Sequence, residues 1–308
     1  MLVEHSATTL GLLRRHWKLI PAVLGILVLV ELSNDYVGYD RPAFSIATVG
    51  LLISALSIFL AFRVNEAYSR WWEARILWGT LVNASRAFAR KVVTLVGADT
   101  EDAARPAILA LRKELLHRQI AFVNALRLTL RQEDTWDDLR PFLDDEEVAS
   151  LTSTANKPSW LLQRQSTRLA GAHGRGWLSD AGQNQLDRTF SELDVGQGGC
   201  ERIKNTPFPE GVSHATRIVA WGMATIVPIA ITDSSNRFDL IDMVVVPILM
   251  LSFLLVERLG AELRNPFEGE PNDTPMTTLC RVVERDLGQA LDEESLPPPL
   301  ESEDGVLM

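Results

Sequence analysis

Four apolar segments interrupt a chain that is otherwise polar and charged. The second segment, residues 43–62, is a run of about 20 uncharged residues, enough for one helix to cross about 30 Å of hydrocarbon. The other three segments, at residues 19–30, 218–232 and 243–256, are shorter and reach that length only with their flanks. The pattern predicts an all-α membrane protein with four transmembrane helices. A soluble all-helical core is the alternative that these lengths leave open.

Basic residues are concentrated on one side of the apolar segments. They precede the first segment and follow the second and fourth, as Arg14, Arg15, Lys18, Arg63, Arg70, Arg75, Arg86, Arg258 and Arg264. Acidic residues dominate the two short connections, 31–42 and 233–242. Because positive charge marks the cytoplasmic side, four crossings place both termini in the cytoplasm and both acidic connections outside.

The sequence pattern of the long connection between the second and third segments predicts helices. Residues 103–131 repeat apolar positions at helical spacing, with Gln119 as an interruption. Three further helices are predicted at 144–155, 160–169 and 180–203, with GAHGRG at 171–176 as a loop. The tail from residue 285, which contains three consecutive prolines, is expected to be extended or disordered.

These segments divide the chain into four regions. The first two transmembrane helices lie in 1–62, a cytoplasmic helical region in 63–214, the last two transmembrane helices in 215–262 and a cytoplasmic acidic segment in 263–308.

The composition of the chain argues against several classes of function. The net charge of −10 argues against a nucleic-acid partner. Cys200 and Cys280 lie too far apart for a zinc motif or a disulfide framework. The histidines show no metal-ligand or catalytic spacing; they are His5, His16, His117, His173 and His214. We therefore expect no enzyme activity, no catalytic residue, no metal and no cofactor.

One stripe of the second apolar segment suggests a role in ion passage. Gly50, Ser54, Ile58 and Phe62 are four residues apart and share one face of a helix. If copies of this helix surrounded an axis, the bulky end of the stripe would form an apolar ring, and such rings gate by dewetting. Packing against neighbouring helices explains the same spacing, so both interpretations stay open.

Three stretches carry a resemblance to a known family. They are FRVNEAYSRWWEARILWGTLVNASR (62–86), CERIKNTPFPEG (200–211) and LRNPFEGEPND (263–273). They resemble the bestrophin family in its bacterial branch, and the resemblance extends over most of residues 8–285. The signature positions that match are Arg63, Asn65, Arg70, Trp72, Glu73, Arg75 and Trp78.

The resemblance implies a homopentameric ion channel in the bacterial inner membrane, with lipid and small inorganic ions as its other partners. It places a hydrophobic neck at Ser54, Ile58 and Phe62, although Ser54 departs from the bulky apolar residue usual there. It also implies a cytoplasmic aperture, which the TPFP match assigns to Phe208 beside Pro209.

The resemblance by itself does not determine whether the chain binds calcium or which ion it conducts. Animal bestrophins bind calcium through an acidic run after NPF, but Glu268, Glu270 and Asp273 are scattered, so we expect no calcium site. The family implies anion conduction, chloride included, whereas some bacterial relatives conduct monovalent cations, and the acidic outer turns favour cations slightly. The competing hypothesis is a membrane-anchored helical binding or scaffold protein without conduction.

Overall fold

The computed structural model describes residues 15–37, 46–98, 100, 102–208, 210–231, 244–302 and 306–307. Arg14, Pro209 and the predicted outer turn at 233–242 lie outside the described residues, as do residues 38–42 of the other predicted outer turn. The described chain is helical, which confirms the predicted all-α class. The helices are α1 (Leu19–Val37), α2 (Ile46–Leu95), α3 (Arg105–Arg131), α4 (Asp145–Thr152), α5 (Lys157–Gly174), α6 (Asp180–Asn205), α7 (Glu210–Ile231), α8 (Val246–Glu262) and α9 (Met276–Ala290).

Helix α2 is continuous over 50 residues. No proline lies between its ends, and no glycine or proline lies between Gly50 and Gly79 to break it where apolar sequence gives way to charge. At about 1.5 Å per residue the helix is roughly 75 Å long. The uninterrupted pattern of residues 59–79 therefore reflects one long helix.

The chain forms two compact units. Val3–Trp71 and Pro207–Arg264 make up the four-helix unit, and Trp72–Thr206 and Asn265–Met308 make up the bundle unit.

All four predicted apolar segments contribute to the core of the four-helix unit. Side chains of α1, α7 and α8 form the buried cluster of this unit, and Ile53 and Leu56 of α2 pack against that cluster. Within the described residues, one helical stretch, Gly50–Leu95, is long and apolar enough to cross a membrane, and Leu19–Leu32 is a shorter apolar helix. That the chain crosses the membrane four times therefore remains a prediction.

Helix α3 is the centre of the bundle unit and packs against α5, α6 and α9. Gln119, which interrupts its apolar stripe, is nevertheless fully buried. Its side-chain amide donates to Ser85 Oγ at 2.9 Å, and its carbonyl accepts from Gln165 Nε2 at 3.1 Å. Hydrogen bonding to two buried partners is what allows a polar side chain at this position.

Two predictions about the bundle unit are wrong. GAHGRG is not a loop throughout, because α5 continues to Gly174 and the chain turns only at Arg175 and Gly176. The tail is not extended from residue 285, because α9 continues to Ala290. Beyond α9, the carbonyls of Pro297 and Pro298 accept hydrogen bonds from Arg285 and Arg281 at 3.1 and 3.2 Å, which hold the chain against the helix.

Candidate pore-lining site

The predicted neck residues lie on an open face of α2. Ile58 is 57% exposed and Phe62 is 70% exposed, although both are large and apolar. Ser54 is also exposed, one turn before Ile58. The structure therefore brings the three side chains to one surface of the subunit, and a surface of this kind requires lipid, another subunit or a narrow path to cover it.

The opposite face of α2 is the one that packs into the subunit. Leu60 is 5% exposed, and Arg63 and Ala67 are also buried. Leu60 is two positions from both Ile58 and Phe62, which is about 200° around the helix axis. The neck side chains thus point away from the core of their own subunit, so internal packing does not explain their spacing.

Ser54 has a hydroxyl that is already engaged by its own helix. Ser54 Oγ donates to the carbonyl of Gly50 at 2.7 Å. This local bond satisfies the donor and leaves a small side chain at the surface. Ser54 therefore offers less bulk than Ile58 or Phe62, and those two residues supply most of the apolar surface of this face.

The same face becomes polar immediately after Phe62. Asn65, Glu66 and Ser69 are all exposed, and Ser69 Oγ donates to the Asn65 carbonyl at 2.8 Å. Glu66 is not among the residues that the family resemblance assigns to the neck. The signal that could have found it is its spacing, four residues after Phe62, which places it on the neighbouring turn.

Arg63 turns inward, unlike the residue before it. Its guanidinium donates to the Ser213 carbonyl at 3.3 Å and lies 6.0 Å from the centroid of the Phe208 ring. Arg264 hydrogen-bonds the Ser213 hydroxyl. Phe208, the predicted aperture residue, is half-buried against Arg63, so it is less open than Ile58 or Phe62.

A profile of the bacterial and fungal bestrophin proteins matches residues 11–289. That span includes α1 to α8 and all but the last residue of α9. The chain belongs to the bestrophin family.

Individual relatives agree with this assignment. A voltage-dependent anion channel-forming protein of Mesorhizobium japonicum is 31% identical over 286 residues, which cover 92% of this chain and 87% of the relative. The voltage-dependent anion channel-forming protein YneE of Escherichia coli is 31% identical over 82% of this chain and 79% of its own length. A crystal structure of a bacterial bestrophin homologue from Klebsiella pneumoniae matches with a TM-score of 0.79 at 26% identity, over 90% of this chain and 98% of that one. Membership in this family makes the chain a membrane protein.

The remaining bestrophin signature residues are divided between surface and core. Arg70, in the four-helix unit, and Arg75 are half-buried. In the bundle unit Trp78 is fully buried, whereas Trp72 is exposed. Glu73 is exposed and pairs with Arg202 of α6. Most of the signature therefore supports helix packing, and only its first residues adjoin the exposed face that carries Ile58 and Phe62.

The acids after NPF are already engaged within the bundle unit. Asp273 is buried, and its Oδ2 accepts hydrogen bonds from the backbone N–H groups of Glu268 at 2.7 Å and Glu270 at 3.0 Å. The Glu268 carboxylate lies 2.9 Å from the Lys204 ammonium. Burial raises the pKa of Asp273 to about 6. Among the described residues, no three His, Cys, Asp or Glu side chains are grouped to hold a metal ion.

Both cysteines of this bestrophin are buried and unpaired with each other. Burial raises the pKa of the Cys200 thiol and of the Cys280 thiol to about 12. Since the thiolate is the reactive form, both residues serve as packing groups rather than as nucleophiles.

Proposed function

We propose that this bestrophin forms an ion channel that conducts small monovalent ions passively through a neck lined by Ser54, Ile58 and Phe62. The observation that carries the proposal is the exposure of Ile58 and Phe62 on the face of α2 opposite to its buried face. The relatives from Mesorhizobium and Escherichia are named anion channel-forming proteins, so chloride is the first ion to test.

The channel requires several copies of the chain, because one exposed face cannot enclose a path. A homopentamer in the bacterial inner membrane, with both termini in the cytoplasm, is the arrangement that the family resemblance implies. Native mass measurement in detergent tests the copy number directly. Five copies agree with the proposal, and a monomer contradicts it.

The neck acts on ions through its lack of polar groups. An ion that passes Ile58 and Phe62 loses water and receives no hydrogen bond or charge in return, so a narrow collar of these side chains forms a barrier. Dewetting of the collar would close the path without any large movement of the helices. Ser54 is smaller and widens the outer end.

Phe208 is proposed as a second constriction on the cytoplasmic side. Its ring packs beside Arg63, so it reaches an ion path only if the path runs along that contact. Replacement of Phe208 by Ala tests this role separately from the neck. A change in single-channel conductance supports the constriction, and wild-type conductance contradicts it.

The test of the neck is planar bilayer recording of purified protein with symmetrical and graded KCl. We expect the double variant Ile58→Ala, Phe62→Ala to conduct with a larger unitary current than the wild type, because the collar loses most of its bulk. Leu29→Ala is the matched control, since Leu29 on α1 is 68% exposed and apolar but lies outside the proposed neck.

Three outcomes separate the hypotheses. A larger current in the double variant and an unchanged current in Leu29→Ala support the neck. Unchanged currents in both variants contradict the neck while leaving a channel. Absence of current from correctly assembled wild-type protein contradicts the channel and favours the membrane-anchored scaffold.

A further inference from the structure

The neck face of α2 carries a carboxylate at its cytoplasmic edge. Glu66 follows Phe62 by four residues, and both side chains are exposed. Asn65 follows Ile58 by seven residues, which returns it to within about 20° of Ile58 on the helix. The first polar side chains after the apolar collar are therefore an amide and a carboxylate.

The direction of helical side chains brings Glu66 close to the collar. In an α-helix the Cα–Cβ bond tilts toward the N-terminus, so a side chain covers the turn before its own Cα. For Glu66 that turn is the one that contains Phe62. In a usual helical rotamer the Glu66 side chain therefore extends toward the turn of Phe62.

Neighbouring arginines leave this charge at the surface. Arg63 is buried and faces Ser213 and Phe208, on the packed side of the helix. Arg70 is half-buried and lies four residues beyond Glu66, where a helical pair with Glu66 contributes only a few tenths of a kcal/mol. Arg63 and Glu66 lie close enough for their charges to interact, and the Glu66 side chain is nevertheless exposed.

We propose that Glu66, together with Asn65, is the determinant of ion sign in this channel. The inference rests on the proposed function, because it requires that Ile58 and Phe62 face the ion path. An apolar collar carries no charge and does not distinguish chloride from potassium, whereas a ring of carboxylates favours cations. One such ring beside the collar raises the permeability of potassium relative to chloride.

The size of the effect follows from Coulomb's law. A unit charge about 10 Å from an ion in water changes the ion's local occupancy about twofold, and several subunits multiply that factor at low salt. Salt screens the interaction over about 10 Å at 0.1 M. The selectivity contributed by Glu66 should therefore shrink as ionic strength increases, which a purely structural role would not produce.

The experiment measures reversal potentials in planar bilayers under a KCl gradient. Glu66→Gln is expected to raise the chloride-to-potassium permeability ratio by at least about twofold, because it removes the ring charge and keeps the shape. Asn65→Asp is expected to lower the ratio by a similar factor, because it adds a second carboxylate. Glu192→Gln, an exposed substitution on α6, is the matched control and should leave the ratio unchanged.

The outcomes distinguish this inference from the proposed function. Opposite shifts in the two variants, larger at low salt, support the assignment. Normal currents with reversal potentials equal to wild type in both variants overturn it and leave the channel intact. If Glu66→Gln does not assemble, the Asn65→Asp shift decides alone, and no shift overturns the assignment. Absence of current in the wild type overturns the channel itself.

Discussion

Gly199 of α6 lies directly against Leu77 of α2. A Cβ atom at position 199 would fall 2.6 Å from Cδ2 of Leu77, which is closer than real Cβ contacts occur. Gly196, one turn earlier, has the same relation to Leu81, with a distance of 2.7 Å. The two glycines therefore let α6 approach α2 within the bundle unit.

Replacement of either glycine by alanine should destabilise the bundle unit. The added methyl group must displace the fully buried Leu81 at position 196 or the half-buried Leu77 at position 199, and overpacking of this kind costs about 1–3 kcal/mol. We expect Gly196→Ala and Gly199→Ala to lower the midpoint of thermal unfolding in detergent. Tryptophan fluorescence measures this midpoint.

Gly198 is the matched control for this prediction. It lies on the same helix, is exposed and has no atom within 4 Å of an added Cβ. Alanine there should raise the free energy of unfolding by up to about 1 kcal/mol, through helix propensity alone. A fall in the midpoint for Gly198→Ala equal to that for Gly199→Ala would contradict the packing argument.

Short-range sequence patterns were sufficient to predict helices whose continuity or apolar spacing depends on neighbouring residues. The continuity of α2 follows from the lack of proline and of glycine across its charged junction, and α3 follows from its apolar spacing. The face shared by Ile58 and Phe62 was also visible in the sequence. The sequence did not show whether that face is exposed. Exposure depends on which side of α2 packs against α1, α7 and α8.

Long-range contacts explain what the sequence did not predict. The burial of Gln119 depends on Ser85 and Gln165, which are 34 and 46 residues away. The order of the proline-rich tail depends on arginines of α9 that donate to its carbonyls. Local composition does not show which distant residues will supply these hydrogen bonds. From sequence alone, a polar residue therefore predicts a break in a buried helix face, and a proline run predicts a disordered segment.

Arg118 is expected to be essential for the stability of the bundle unit. It is buried and donates to Glu147 Oε1 at 2.6 Å, and its other terminal nitrogen lies 2.9 Å from Glu114. Burial by itself would raise the pKa of Glu114, but hydrogen bonds from Arg168 and Arg118 outweigh burial and lower the pKa. Arg118→Met leaves the buried Glu147 without this partner, which costs up to about 3–5 kcal/mol, whereas the half-buried Glu114 keeps its pair with Arg168.

A double variant tests whether loss of pairing is the cause. Arg118→Met combined with Glu147→Leu removes both charges, so its thermal midpoint should lie above that of Arg118→Met alone. Arg140→Gln breaks an exposed pair with Asp145 and should barely change the midpoint. A double variant no more stable than Arg118→Met would contradict the explanation.

Calcium should have no effect on this bestrophin. The ion requires six to eight oxygen ligands, whereas one carboxylate oxygen of Asp273 already accepts two backbone hydrogen bonds and the Glu268 carboxylate pairs with Lys204. We expect equal thermal midpoints and equal bilayer currents in millimolar calcium and in a chelator. Magnesium at the same concentration controls for ionic strength. A midpoint that rises with calcium alone would show that these acids do bind it.

Asp273 should make the protein less stable as the pH rises. Burial raises its pKa to about 6, whereas an exposed aspartate in the unfolded chain titrates near about 3.9. The folded state therefore binds the proton more tightly, and between about pH 4 and pH 6 the free energy of unfolding falls as the pH rises. Above that window the charged carboxylate costs up to about 3 kcal/mol.

Asp273→Asn removes this titration and keeps the hydrogen bonds, because one amide carbonyl oxygen can accept from the backbone N–H groups of both Glu268 and Glu270. The variant should have a higher thermal midpoint than wild type at pH 7.5 and an equal one at pH 4. Glu268→Gln, at an exposed acid of the same loop, should leave the midpoint difference between the two pH values unchanged. If Asp273→Asn lowers the midpoint at pH 7.5, the negative charge stabilises the loop, and the assignment of a burial cost to Asp273 is wrong.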